Sequence, residues 1–253
     1  MDDRSAPPWH AMAAYLYVLQ LDGPSLAWEY LRRNPDYRRD WLGRRHDAAR
    51  AWGLRLLEDP GRDARDAVPV WCPDPDAVLQ LHADDDPFHQ SVVFEFWRIP
   101  GRREMVHDGH RLLLAARTVE CCLRLALSGG LEDGMAYVHA IPAGPSAWMR
   151  HRAVADALEG MALAVARDAA TQARPSSTAL LELRTLQALD ATLAGASLRD
   201  VAEGLFGADL ASGGWHADGG LRSRVRRLVR RGRALMRGGY RHAYLGRRSD
   251  LTS

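Results

Sequence analysis

Around a helix predicted from Leu221 to Met236, the chain places Leu221, Val225, Leu228, Val229, Leu235 and Met236 on one side and Arg226, Arg227, Arg230, Arg233 and Arg237 on the other. At about 100° per residue the apolar set falls in an arc of roughly 120°, with Arg226, Arg230 and Arg237 nearly opposite. A guanidinium group keeps its charge at any ordinary pH and offers a planar fork of donors that matches phosphate oxygens and the guanine edge. No acidic residues alternate with these arginines to form the i,i+4 pairs of a solvated structural helix. The chemistry implied is recognition of a polyanion.

The charge distribution sharpens this. From Leu221 to Ser253 there are eleven arginines and one acid, Asp250, a net of +10; the whole chain is +2, leaving −8 for residues 1–220. A basic terminal module on an acidic body is the asymmetry of a nucleic-acid or acidic-surface binder. Every basic residue is Arg, so abundance alone says little, but clustering is a separate matter.

Other residue types could do other chemistry. His107, Asp108 and His110 offer two imidazoles and a carboxylate, and Asp84, Asp85 and Asp86 with His82 and His89 resemble a hard-cation cluster. The Asp108-Gly109 pair between two apolar runs is also a strong hairpin signal, which makes the histidines turn neighbours. Ser128-Gly129-Gly130 and Gly213-Gly214 lack the Gly-Lys-Ser/Thr of a phosphate loop, and there is no Gly-x-Ser-x-Gly elbow. Cys72, Cys121 and Cys122 have no CxxC spacing and are expected to be reduced thiols. The expectation is a protein that is not an enzyme, with no metal and no cofactor; a metal-dependent nuclease is the less favoured alternative.

The elements that would position the arginines form an α+β chain with a helical N-terminal segment, a small antiparallel β middle region and a C-terminal helical module of helix-turn-helix type. The expected boundaries are residues 9–65, 66–145, a connecting helix at 146–172, the basic module at 177–245 and a tail at 246–253. In the first stretch Ser25 is expected to cap a helix that ends near Asn34, because Pro35 disfavours helical geometry before it. In the middle, 77–81, 91–97, 104–107, 110–116 and 135–141 read as strands, while 118–127 fits either strand or helix. The stretch 171–177, with Pro175, reads as a linker. Helices follow from Thr178 to Leu193 and from a capping box at Ser197 and Asp200 to Gly207. Asp218 is the expected cap of the Arg-rich helix and Gly238-Gly239 its stop. No apolar run approaches the roughly 18 residues that span a bilayer, and 1–8 is unlike a signal peptide, so a cytoplasmic protein with no membrane partner is expected.

Two sets of residues carry a family resemblance. Trp28-Glu29-Tyr30-Leu31-Arg32-Arg33-Asn34-Pro35-Asp36-Tyr37, followed by Trp41, Trp52-Gly53-Leu54 and Pro69-Val70-Trp71, resembles a proteobacterial transcriptional regulator-like domain. The segments 183–190 and 193–202, Leu205-Phe206-Gly207, Trp215 and 221–240 resemble the RovC-type DNA-binding domain. The resemblance implies a bacterial transcriptional regulator, with family members linked to type VI secretion or to excision and transfer of integrative elements. The connection 208–220 is far longer than the 3–4 residues of a tight helix-turn-helix.

Together these readings give a sequence-specific regulator, expected to be an activator, that binds double-stranded DNA as a homo-oligomer, with RNA polymerase or another regulatory protein as a further expected partner. Ser223, Arg226, Arg227 and Arg230 are the expected base-facing residues. Arg222, Arg231, Arg233, Arg237 and Arg241 are expected on phosphates. The alternative is an antiactivator or adaptor whose acidic body binds another regulator.

Overall fold

The computed structural model describes residues 9, 11–72, 74, 78–99, 101–117, 122–141, 143, 147–148, 151–152, 155, 175–208 and 219–245. The chain divides into two compact units, one built from Met1–Arg38 and Ala173–Tyr244, the other from Arg39–Gln172 and Leu245–Ser253. Sequence neighbourhood suggested consecutive modules. Instead the first part of the stretch expected at 9–65 groups with the C-terminal helices, and the division falls at Arg38.

The helical unit starts with a 3-10 helix, Met12–Gln20, and α1, Gly23–Leu31. The expected cap of α1 needs correction. Asp22, not Ser25, is the N-cap: its carboxylate accepts from the Ser25 amide at 3.0 Å, and Pro24 sits in the first turn, where a missing N–H costs nothing. Asn34 then accepts from the amides of Asp36 (2.9 Å) and Tyr37 (3.4 Å) and so starts α2, Pro35–Leu42. Its side-chain amide donates to the Met236 carbonyl at 3.1 Å, tying this turn to the far end of the chain.

After Ser176, which caps through the Ala179 amide, α3 runs Ser177–Leu193. The capping box of Ser197 and Asp200 forms as expected and opens α4, Leu198–Phe206. The Arg-rich helix is α5, Gly220–Ala234; its N-cap is Gly219, and the expected cap Asp218 lies outside the described residues. The glycine pair breaks it, as expected, because Gly238 takes a non-helical conformation that kinks the chain. A π turn at Leu235–Gly239 carries Gly238 at φ 120°, and the chain resumes as α6, Tyr240–Tyr244. Tyr240 is wholly buried, so the chain is turned back into the core rather than released.

One core cluster joins Trp9 to Ala188, Ala191, Val201, Ala202, Leu205, Val225, Leu228 and Val229. Trp28, Tyr30, Leu31 and Tyr37 from the N-terminal part, with Leu183, Leu186 and Leu189 of α3, are fully buried in the same unit. The Trp28 and Tyr37 rings meet edge to face at 5.7 Å. The aromatic pattern near the N-terminus is therefore core for the C-terminal helices themselves.

The second unit holds a five-stranded sheet in the order β2-β3-β4-β1-β5, with β1 Val78–Ala83, β2 Arg102–His107, β3 Leu112–Arg117, β4 Cys122–Leu127 and β5 Tyr137–Ala140. The ambiguous stretch 118–127 is a strand from Cys122. Two expectations fail here. The sheet is not purely antiparallel, because β1 inserts beside β4 in parallel, with Val78 opposite Arg124 and Leu81 opposite Leu127. Residues 91–97 form no named strand: they give one bridge, Val93 to Ala136, and the start of a 3-10 turn at Phe96–Arg98. The parallel pair links strands far apart in sequence, which local alternation cannot reveal. One sheet face packs Leu79, Leu81, Leu114, Ala116, Leu123, Leu125 and Leu127 with Phe94; the other sets Leu113 and Ala126 against Val70. Most of the expected connecting helix at 146–172, part of the 171–177 linker and nearly all of the tail at 246–253 lie outside the described residues.

Candidate nucleic-acid interface

α5 is held by what it buries. Val225, Leu228, Val229 and Gly232 face inward, followed by Leu235 and Met236 in the π turn. Gly232 marks a close helix crossing: a Cβ there would stand 3.1 Å from Leu189 Cβ and 3.2 Å from the Thr185 carbonyl of α3. A glycine inside a helix carries an intrinsic cost of about 1 kcal/mol relative to alanine. Its place amid arginines was the available signal of this crossing.

The structure separates the arginines into two groups. Arg224 lies 5.0 Å from the Phe206 ring centroid, a ring that also holds Arg184 at 5.6 Å. Arg231 donates to Glu182 and, at 3.2 Å, to the Tyr244 hydroxyl. Arg241 donates to the Tyr240 hydroxyl at 3.3 Å and lies over its ring. Arg222 is half-buried, with its Nε shielded from solvent. Arg226, Arg227, Arg230, Arg233 and Arg237 are exposed and have no protein partner among the described residues.

Of the side chains expected at DNA, then, Ser223, Arg226, Arg227, Arg230, Arg233 and Arg237 stand on the open face of α5 and the π turn that follows. Arg231 and Arg241, expected on phosphates, are instead engaged within the protein. Arg226, Arg230, Arg233 and Arg237 further line one open groove of about 440 Å³, completed by Leu198 at the start of α4, Val229 and Ala234.

Residues that the sequence reading did not single out hold this face in place. Glu182 on α3 is 1% exposed and accepts from the Tyr30 hydroxyl at 2.7 Å as well as from Arg231. Burial, with the Glu182 carboxylate beside it, pushes the Tyr30 hydroxyl well above its ordinary range, so it remains a donor. The Tyr30 and Tyr244 rings stack at 5.9 Å.

Two turns along α3, Asp190 takes two bonds from Arg33, at 2.6 and 2.9 Å, and one from the Tyr15 hydroxyl at 2.8 Å. Burial opposes the Arg33 charge, but Glu29 and Asp190 outweigh it and raise its pKa further. Gln187 donates to the Trp9 carbonyl at 2.9 Å. Acids set into this helix were the visible sign of these anchors, though their N-terminal partners, Tyr30, Arg33 and Tyr15, lie more than 150 residues away in the chain.

The alternative sites in the sheet unit resolve into turn chemistry. Asp108 Oδ1 accepts from the amides of His110 and Arg111, each at 3.0 Å, and His107 Nδ1 accepts from the Gly109 amide at 3.1 Å. Asp84 accepts from the Asp86 amide at 3.2 Å. Among the described residues no group of three or more His, Cys, Asp or Glu is placed to hold a metal ion, and no helix is long and apolar enough to cross a membrane. Cys72 and Cys122 take part in no disulfide among the described residues.

The helical unit thus presents, on one buttressed helix and the π turn after it, five arginines without a partner among the described residues. Residues 140–243 match the RovC-type DNA-binding domain of type VI secretion transcription factors. The match takes in the whole of α3, α4 and α5, and so every arginine of the open face. Residues 8–56 match a proteobacterial transcriptional regulator-like domain, and 76–123 a domain of unknown function, DUF7011. No curated protein matches the chain. The matched domains are those of a transcriptional regulator with a DNA-binding module.

Proposed function

We propose that α5 is the helix that meets DNA, entering the major groove with Ser223, Arg226, Arg227, Arg230, Arg233 and Arg237 toward the duplex, and that the protein regulates transcription without catalysing a reaction. The observation that carries this reading is the set of five exposed arginines with no protein partner in a region matched to a DNA-binding domain. The major groove, about 12 Å wide, admits an α-helix, and free guanidinium groups supply the phosphate contacts that dominate affinity. Arg231 and Arg241 are assigned to support of the helix rather than to phosphate.

Activation and binding as a homo-oligomer belong to the same proposal. The first rests on the family resemblance; the second on the few contacts that one short helix makes, which paired half-sites multiply.

The test is duplex binding by fluorescence anisotropy. Replacing Arg226, Arg227 and Arg230 together by alanine removes three charge-assisted contacts at roughly 1 kcal/mol or more each, so affinity should fall by about 100-fold or more. Unchanged affinity would sink the assignment of α5. Mapping of bound sites in cells, paired with transcript levels, reads the sign of regulation.

A further inference from the structure

The open face of α5 is not uniform. Arg226, Arg230, Arg233 and Arg237 follow one another at i, i+4, i+7 and i+11, the spacing that keeps side chains on one line of a helix. At 100° per residue the three on α5 fall within an arc of about 60°, and at 1.5 Å per residue they span about 10 Å, with Arg237 following in the π turn. All four line the groove that Leu198 closes on its far side, with Val229 and Ala234 completing the lining. Ser223 and Arg227 lie outside that lining, on the neighbouring strip in the first half of the helix.

A row of permanent cations in a trough is complementary to a run of anions at regular spacing. Each arginine is free of intramolecular partners among the described residues, so no ion pair must break for it to engage. A base edge is recognised one pair at a time and rewards a guanidinium that stands alone and is oriented; a sugar-phosphate strand rewards a line of charge. Resting on the reading of α5 as the DNA-contacting helix, we infer that this groove is a track for the phosphate backbone of one strand of B-form DNA, leaving base selection to Ser223 and Arg227. Arg226 and Arg230 thereby move from the base-reading role that sequence position alone gives them to a sequence-independent one.

The two roles respond differently to substitution. A phosphate contact tolerates lysine, which keeps the point charge; a two-bond contact to a base does not, because the planar fork is lost. The experiment uses the full chain and a pool of random-sequence duplexes. Sequences enriched by the wild type are read by sequencing, and anisotropy titrations follow between about 50 and 200 mM salt.

Changing all four track arginines to lysine should keep the enriched sequence and the salt dependence. Changing all four to alanine should flatten the slope of log affinity against log salt by about 3 to 4, near 0.9 for each lost phosphate contact. Arg227→Lys should change the enriched sequence with little change in slope. Circular dichroism checks that each variant keeps the helical content of the wild type, as expected for side chains with no internal partner.

The track is overturned if the four-lysine variant loses the wild-type sequence preference, or if the four-alanine variant keeps the wild-type slope while binding duplex. Wild-type protein that fails to bind any duplex would overturn the reading of α5 itself, an outcome distinct from both.

Discussion

The sheet unit and the open face of the Arg-rich helix use the same cation in opposite ways. In the sheet unit Arg55 and Arg111 reach both Asp74 and Asp108, Arg62 bridges Glu58 and Glu104, Arg65 pairs with Asp63, and Arg102 with Asp66 and Glu104. On α5 and the π turn after it, Arg226, Arg227, Arg230, Arg233 and Arg237 have no such acids among the described residues. Composition cannot separate these cases, since both units draw on arginine alone for positive charge. What separates them is whether acids stand within reach. An arginine compensated inside its own unit is structure; a row left uncompensated, at a cost in self-repulsion, is available to an outside anion.

The comparison also shows where the open face gets its rigidity. Its carboxylates, the buried Glu182 and the partly exposed Asp190, are bound from the N-terminal part of the chain by Tyr30, Arg33 and Tyr15. Deleting residues 1–34 would strip these donors and uncover Leu183, Leu186 and Leu189, each of which is essentially wholly buried. This should have the largest effect of the predictions made on this comparison: loss of the cooperative unfolding transition of the helical unit together with loss of duplex binding. Retained binding by the deleted protein would show that α3 to α6 stand alone, and the N-terminal helices would then owe their burial to something other than support.

Much of the helical unit can be read from its sequence because its signals are local. The capping box at Ser197 and Asp200 and the apolar stripe of α5 each lie within a few turns, and both appear where the pattern puts them. The pairing of the N-terminal aromatics with α3 was not legible, because no local period connects Tyr30 to Glu182. The parallel neighbourhood of β1 and β4 was hidden for the same reason. At the interface the open arginines follow from the helical wheel, whereas the inward turn of Arg231 depends on a carboxylate far away in sequence. Gly238 was legible as a break, since it takes the positive φ that commonly ends helices; the short helix after it, which buries Tyr240, was not.

A narrower way to sharpen the comparison is Glu182→Ala. It makes the helical unit resemble α5's outer face at one internal point, leaving Arg231 and the Tyr30 hydroxyl without their acceptor. Removing one partner of a buried ion pair typically costs about 3 to 5 kcal/mol; the partial exposure of Arg231 puts the expectation near the lower end, about 3 kcal/mol by chemical denaturation. Glu182→Gln keeps an acceptor and should recover part of that loss. If Glu182→Ala were as stable as the wild type, the distinction between engaged and open arginines would carry no energetic weight at this position.

The smallest expected effect lies in the sheet unit and concerns pH. Burial works to raise the Asp108 carboxyl, but the amides of His110 and Arg111 and the Arg111 side chain outweigh it and hold the group below its ordinary value. A carboxylate whose pKa is lower folded than unfolded stabilises the fold above its unfolded pKa, and that contribution fades as pH falls through the folded value. Stability of the sheet unit should therefore drop on acidification below the ordinary aspartate range, near pH 4 and lower. Asp108→Asn keeps a side-chain acceptor for the turn but no titratable charge, so its curve should be flatter there and lower by about 1 kcal/mol at neutral pH. Equal acid sensitivity in wild type and Asp108→Asn would remove this turn from the explanation and place the titrating group elsewhere in the sheet unit.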